Sequence, residues 1–83
     1  MRFINIAQAV VKRIEGLCKE RGLTINALSN AAGVTQSTVN DIMCGATYNT
    51  GIVTIKKLCD GLEISVREFF DSDLFSNLEQ EVK

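Results

Sequence analysis

The residues with the most chemistry to offer lie between Thr35 and Gly45: Gln36, Ser37, Thr38, Asn40 and Asp41, a run of short amide, hydroxyl and carboxylate side chains. They do not make a catalytic set. The chain has no histidine, and its few acids fall mostly on exposed helical faces or in the C-terminal tail, so no serine, threonine or cysteine has the base that an activated nucleophile needs. When a helix presents them, such side chains can instead hydrogen-bond the edges of base pairs. Glutamine can pair bidentately with adenine N6 and N7, and a carboxylate can accept from cytosine N4. Asp41 also repels phosphate, so it fits the groove and not its rim. The plainer reading of all five is a solvated helix face.

A rigid element must hold these residues, and the flanking sequence supplies two. Thr24 and Thr35 each stand where a helix N-cap belongs, preceded by an apolar residue that pairs with one inside the helix, Leu23 with Leu28 and Val34 with Val39. This is the hydrophobic staple that fixes how a chain enters a helix. Two such entrances within a dozen residues predict a helix from after Thr24 to Ala32, a turn at Gly33, and a second helix at about 36–44. Gly33 can take a positive φ there without steric cost. Val39, Ile42 and Leu28 supply the buried side, with Met43 at its edge. The arrangement is that of a helix-turn-helix whose second helix enters a major groove.

The rest of the chain reads as helices that support this pair. Asn5 and Gln8 form a capping-box pattern, and Ile6, Val10, Ile14 and Leu17 recur at helical spacing up to Gly22, which predicts a helix over about 6–21. Lys12, Arg13, Glu15, Lys19 and Glu20 lie off its apolar stripe. The run from Gly45 to Gly51 has turn composition. A fourth helix is predicted over about 52–62, with Ile52, Ile55, Leu58, Cys59 and Leu62 facing inward; Gly61 within it costs about 1 kcal/mol relative to alanine. Ser65 with Glu68, and Ile64 with Phe69, open a fifth helix carrying Phe69 and Phe70. The chain divides into a helix-turn-helix domain at 1–72 and an acidic amphipathic tail at 73–83. In the tail, Leu74, Leu78 and Val82 fall at i, i+4 and i+8, so a short tail helix is possible. That tail can close its own core, contact a second copy or fray.

Composition agrees with a small all-α core: 46% hydrophobic residues, no proline and few aromatics. Cys18, Cys44 and Cys59 cannot all pair within one chain, and they lie on or beside apolar stripes, so reduced core thiols are expected. With no histidine and no Cys-x-x-Cys pair, neither a metal nor a cofactor is expected. There is no apolar run long enough for a bilayer and no signal-peptide pattern, which points to a cytoplasmic protein.

The net charge of -1 taken alone argues against a nucleic-acid partner, but its distribution does not. Residues 1–59 carry seven basic and three acidic side chains, a balance of +4, whereas 60–83 carry two basic and seven acidic, a balance of -5. The half that holds the paired helices attracts phosphate and the far end repels it. For Lys12, Arg13, Lys19 and Arg21 taken singly, solubility on an exposed helix is the plainer role.

The pattern Leu-Thr-x-x-x-Leu-Ser-x-x-Ala-Gly-Val-Thr-x-Ser-Thr-Val-x-x-Ile-x-x-Gly at 23–45 resembles the Cro and phage-repressor-like (XRE-type) helix-turn-helix transcriptional regulators. The likeness continues through Ile55, Leu58, Cys59, Leu62, Ile64, Ser65, Glu68 and Phe69, so it covers about residues 8–70. It implies a five-helix, lambda-repressor-like fold. It also implies double-stranded DNA as partner, base contacts from Gln36, Ser37, Thr38, Asn40 and Asp41, and two copies acting on paired half-sites as a homodimer. A dimer contact would draw on Phe69, Phe70, Leu74, Phe75 and Leu78.

Phosphate contacts are expected from Thr24, Thr35, Thr47, Tyr48, Asn49 and Lys56, with Lys57 nearby and with helix N-termini contributing. Thr24 and Thr35 are caps first, and Tyr48 serves equally well as a cover for the loop. Many family members place glutamine and glutamate after the second helix's cap, where the glutamine grips a phosphate. Here those positions are Ile25 and Asn26. The loop after the recognition helix is uncharged where it is often basic. These departures leave a second possibility, a protein-interaction module of the same fold, such as an antitoxin-like or regulatory subunit. Within 83 residues no length remains for a sensor domain, so a repressor-type regulator without one is the leading expectation.

Overall fold

The computed structural model describes residues 3–46 and 49–82. Five α-helices follow one another: α1 (Ile6–Arg21), α2 (Ile25–Ala32), α3 (Gln36–Met43), α4 (Ile52–Leu62) and α5 (Val66–Phe69), then a single 3-10 turn at Asp73–Phe75. α1 opens with the full reciprocal box: Asn5 Oδ1 accepts from the Gln8 amide at 2.8 Å and Gln8 Oε1 accepts from the Asn5 amide at 3.0 Å. Ser65 Oγ likewise accepts from the Glu68 amide, but the Glu68 side chain makes no return bond, so only half of the expected box forms at α5.

One three-residue connector is used three times. Gly22-Leu23-Thr24, Gly33-Val34-Thr35 and Glu63-Ile64-Ser65 each consist of a left-handed residue, an apolar residue and a hydroxyl cap. In each, the apolar residue's amide donates back to the preceding helix: Leu23 to Cys18 at 2.9 Å, Val34 to Ser29 at 3.1 Å and Ile64 to Cys59 at 3.0 Å. The same residue therefore closes one helix and staples the next. Gly33, with φ +67°, makes the turn of the helix pair, whereas Glu63 holds φ +59° with a side chain.

The core gathers Val10, Ile14, Leu17 and Cys18 from α1, Leu28 from α2, Val39 and Ile42 from α3, and Ile55, Leu58, Cys59 and Leu62 from α4. Ile64 and Phe69 close it. α2 and α4 make the most extensive helix contact. It rests on Gly61: a Cβ there would lie 2.8 Å from the Ala32 nitrogen. The glycine that lowers α4's helix propensity thus lets α2 approach.

Four further expectations are corrected. Ile52 does not face the core; it is 66% exposed and Val53 65%, because the apolar stripe of α4 begins only at Ile55. Cys44 is exposed at the C-cap of α3, so only Cys18 and Cys59 are core thiols. The tail does not form an amphipathic helix through Leu74, Leu78 and Val82. One 3-10 turn is followed by extended chain, Leu78 pairs with Ile4 in an isolated parallel bridge, and the Glu79 amide donates to the Ile4 carbonyl at 2.9 Å. Val82 stays exposed. Here tertiary pairing of the two chain ends overrides a short helical period.

Arg13 is the fourth. It is a half-buried latch, its Nε donating to the Phe69 carbonyl at 2.7 Å and its Nη2 to the Glu68 carbonyl at 2.9 Å. These bonds reach across more than fifty residues to the end of α5, which a single turn of helix cannot secure alone.

Candidate nucleic-acid interface

The caps fix where α3 starts. Thr24 Oγ1 accepts from the Ala27 amide at 3.0 Å and Thr35 Oγ1 from the Thr38 amide at 3.2 Å. The Thr35 and Thr38 hydroxyls also share a hydrogen bond at 2.8 Å. Thr38 is therefore half-buried against the cap, with its hydroxyl engaged locally.

The other four side chains of the run come together on one edge. Gln36, Ser37, Asn40 and Asp41 are all exposed, and 36 with 40 and 37 with 41 are i, i+4 neighbours that stack in two adjacent columns along the helix. None of them spends its side chain on another described residue. On the opposite face Val39 and Ile42 are buried and Met43 is half-buried. An amphiphilic rod with a buried aliphatic face and a free amide, hydroxyl and carboxylate edge is what a groove reader needs.

The residues expected to meet phosphate differ in how open they are. Thr24, Thr35, Asn49 and Lys56 are exposed, while Thr47 and Tyr48 lie outside the described residues. Lys56 Nζ pairs with Asp60 one turn on, with both side chains more than half exposed; an exposed pair of this kind is worth about 0.2–1 kcal/mol, so another anion can compete for the lysine. Lys57 has no such partner among the described residues. The N-terminus of α4 begins at Gly51 without a side-chain cap, which leaves its first amides open to an anion. Lys12 of α1 lines an open groove of about 460 Å³ with Met43, Cys44 and Gly45, placing a cation beside the end of α3.

Ile25, standing where the family often has a glutamine, packs against the core, and its carbonyl accepts from buried Ser29 Oγ at 2.9 Å. It serves the interior of α2 and not its surface. From residue 22 to residue 55 the sole charged side chain is Asp41.

A Cro/C1-type helix-turn-helix DNA-binding domain model matches residues 4–73. The chain belongs to that family. Its fold is similar to that of prophage Lp1 protein 11, with a TM-score of 0.77 and 37% identity over 86% of this chain and 93% of that one. It is also similar to the restriction-modification controller protein C.Esp1396I, with a TM-score of 0.71 and 23% identity over 77% and 81% of the two chains. No curated protein matches significantly. The XRE-type likeness read from positions 23–45 and the all-α, five-helix architecture hold. Among the described residues no helix is long and apolar enough to cross a membrane.

Proposed function

We propose that this Cro/C1-type domain is a small repressor-type transcriptional regulator that reads double-stranded DNA by laying α3 in the major groove. Gln36, Ser37, Asn40 and Asp41 contact base edges, and Thr38 acts mainly by holding the helix start against Thr35. Thr24, Thr35 and Asn49, the open amides of α4, and Lys56 or Lys57 hold phosphates. The observation that carries the reading is the free polar edge of α3, backed by buried Val39 and Ile42. The family match over residues 4–73 agrees with DNA binding.

The small number of cations sets the expected energetics. Each neutralised phosphate contributes about 0.9 to the slope of log affinity against log salt, so two to four such contacts give a shallow dependence and modest affinity for one copy. One recognition helix also reads only a few base pairs. Two copies on half-sites about one helical turn apart supply the rest.

The near-absence of charge between residues 22 and 55 favours one other reading, a protein-interaction module with this fold. Fluorescence anisotropy with a random duplex at low salt separates the two. Binding at or below tens of micromolar that weakens on adding salt supports DNA recognition; no binding at that concentration supports the protein partner.

A further inference from the structure

Asp41 is a costly residue to place against a polyanion, and its setting narrows what can offset that cost. It is exposed, it has no ion-pair partner among the described residues, and it lies on the same edge as Ser37 one turn earlier and Asn40 beside it. Its backbone carbonyl, not its carboxylate, accepts the 3.7 Å contact from Cys44 Sγ. The carboxylate is thus free, and it offers acceptors only.

In the major groove guanine presents two acceptors, thymine an acceptor and a methyl, and adenine an acceptor beside its amino donor. Cytosine alone presents a donor, the N4 amino group, with no acceptor of its own next to it. Building on the major-groove reading above, we infer that Asp41 is a specificity-determining residue that accepts a hydrogen bond from N4 of one cytosine in each half-site, and that methylation of that N4 blocks recognition. In N4-methylcytosine the remaining hydrogen is used in pairing with guanine, so the groove side presents a methyl group to the carboxylate.

Selection from a randomised duplex library with wild type, Asp41→Ala and Asp41→Asn, followed by anisotropy on the selected duplex, tests this. The wild type should require cytosine at one position, by about fivefold or more over any other base. Asp41→Ala should lose that preference while keeping the others, and Asp41→Asn, whose amide donates as well as accepts, should move it toward adenine. N4-methylcytosine at that position should weaken the wild type by the same factor and leave Asp41→Ala unchanged. Circular dichroism checks that the exposed substitutions leave the fold intact. Variants that keep the cytosine preference, or that bind every sequence more tightly by one common factor, overturn the assignment and leave groove reading standing. A wild type that enriches no sequence overturns both.

Discussion

Gly61 of α4 faces the backbone of Ala32 in α2 so closely that a Cβ on it would stand 2.8 Å from the Ala32 nitrogen and 3.0 Å from its Cα. The atoms in the way are backbone, which cannot swing aside as a flexible side chain would. Gly61→Ala should therefore destabilise the domain by about 1–3 kcal/mol, the usual cost of overpacking, despite the gain of about 1 kcal/mol in helix propensity. In a domain of this size each kcal/mol lowers Tm by roughly 4–8 °C. Thermal unfolding followed by circular dichroism measures it, and an unchanged or raised Tm contradicts the close approach.

Arg13 is a structural residue that its charge disguises. Its guanidinium satisfies the carbonyls of Glu68 and Phe69, and hydrogen bonds to a charged group contribute about 1.5–3 kcal/mol. Arg13→Ala should cost about 2 kcal/mol in urea unfolding. Arg13→Lys should recover only part of that, because an ammonium lacks the planar fork that reaches both carbonyls. A neutral change at an exposed lysine in mid-helix, such as Lys12→Gln, should change stability by less than about 0.5 kcal/mol. Equal effects at both positions would return Arg13 to the solvent-facing set.

Removing the Thr35 hydroxyl takes away the acceptor for the Thr38 amide and the partner of the Thr38 hydroxyl. Thr35→Ala should cost about 1 kcal/mol, as cap removals do. It should also weaken DNA binding beyond that loss, since α3 is no longer held at its start. Thr35→Ser keeps the oxygen and should keep both properties. If Thr35→Ala, once stably folded, binds DNA as well as the wild type, the cap does not position the reader.

The three thiols should separate by reactivity. Burial pushes the Cys18 thiol above its ordinary 9.0. Burial does the same for Cys59, where Lys56 opposes the shift and Asp60 adds to it. Cys44 is exposed. A disulfide reagent at neutral pH should label one thiol quickly and two only on unfolding, with Cys44→Ser removing the fast phase. The unfolded chain also releases the two buried protons first. Their contribution to stability is therefore complete below pH 9.0 and declines as pH rises through the higher folded-state values. Two or three fast thiols in the native protein would contradict the burial of Cys18 and Cys59.

Local rules carried much of this fold. The caps at Asn5, Thr24, Thr35 and Ser65, the staples around them and the apolar period of α1 lie within a few residues of one another, so the chain announces α1 to α4 to within a residue. What it hides depends on distant partners. Nothing near Arg13 says that it reaches α5, and nothing near Gly61 says that Ala32 lies against it. The tail's i, i+4, i+8 pattern is too short to outweigh the bridge that Leu78 makes to Ile4. At the candidate site the exposed edge of α3 follows from helical spacing. The turning of Thr38 toward Thr35 and the exposure of Cys44 emerge only once the helix end is placed.

The most direct test of the account is an NMR titration of the labelled protein with a short duplex, read amide by amide. Groove reading by α3 predicts that the largest shift changes fall at the N-termini of α2 and α3, along Gln36 to Asp41 and at the start of α4, and that they diminish as salt is added. Changes confined to the face formed by α5 and the tail, or none at saturating duplex, would contradict it.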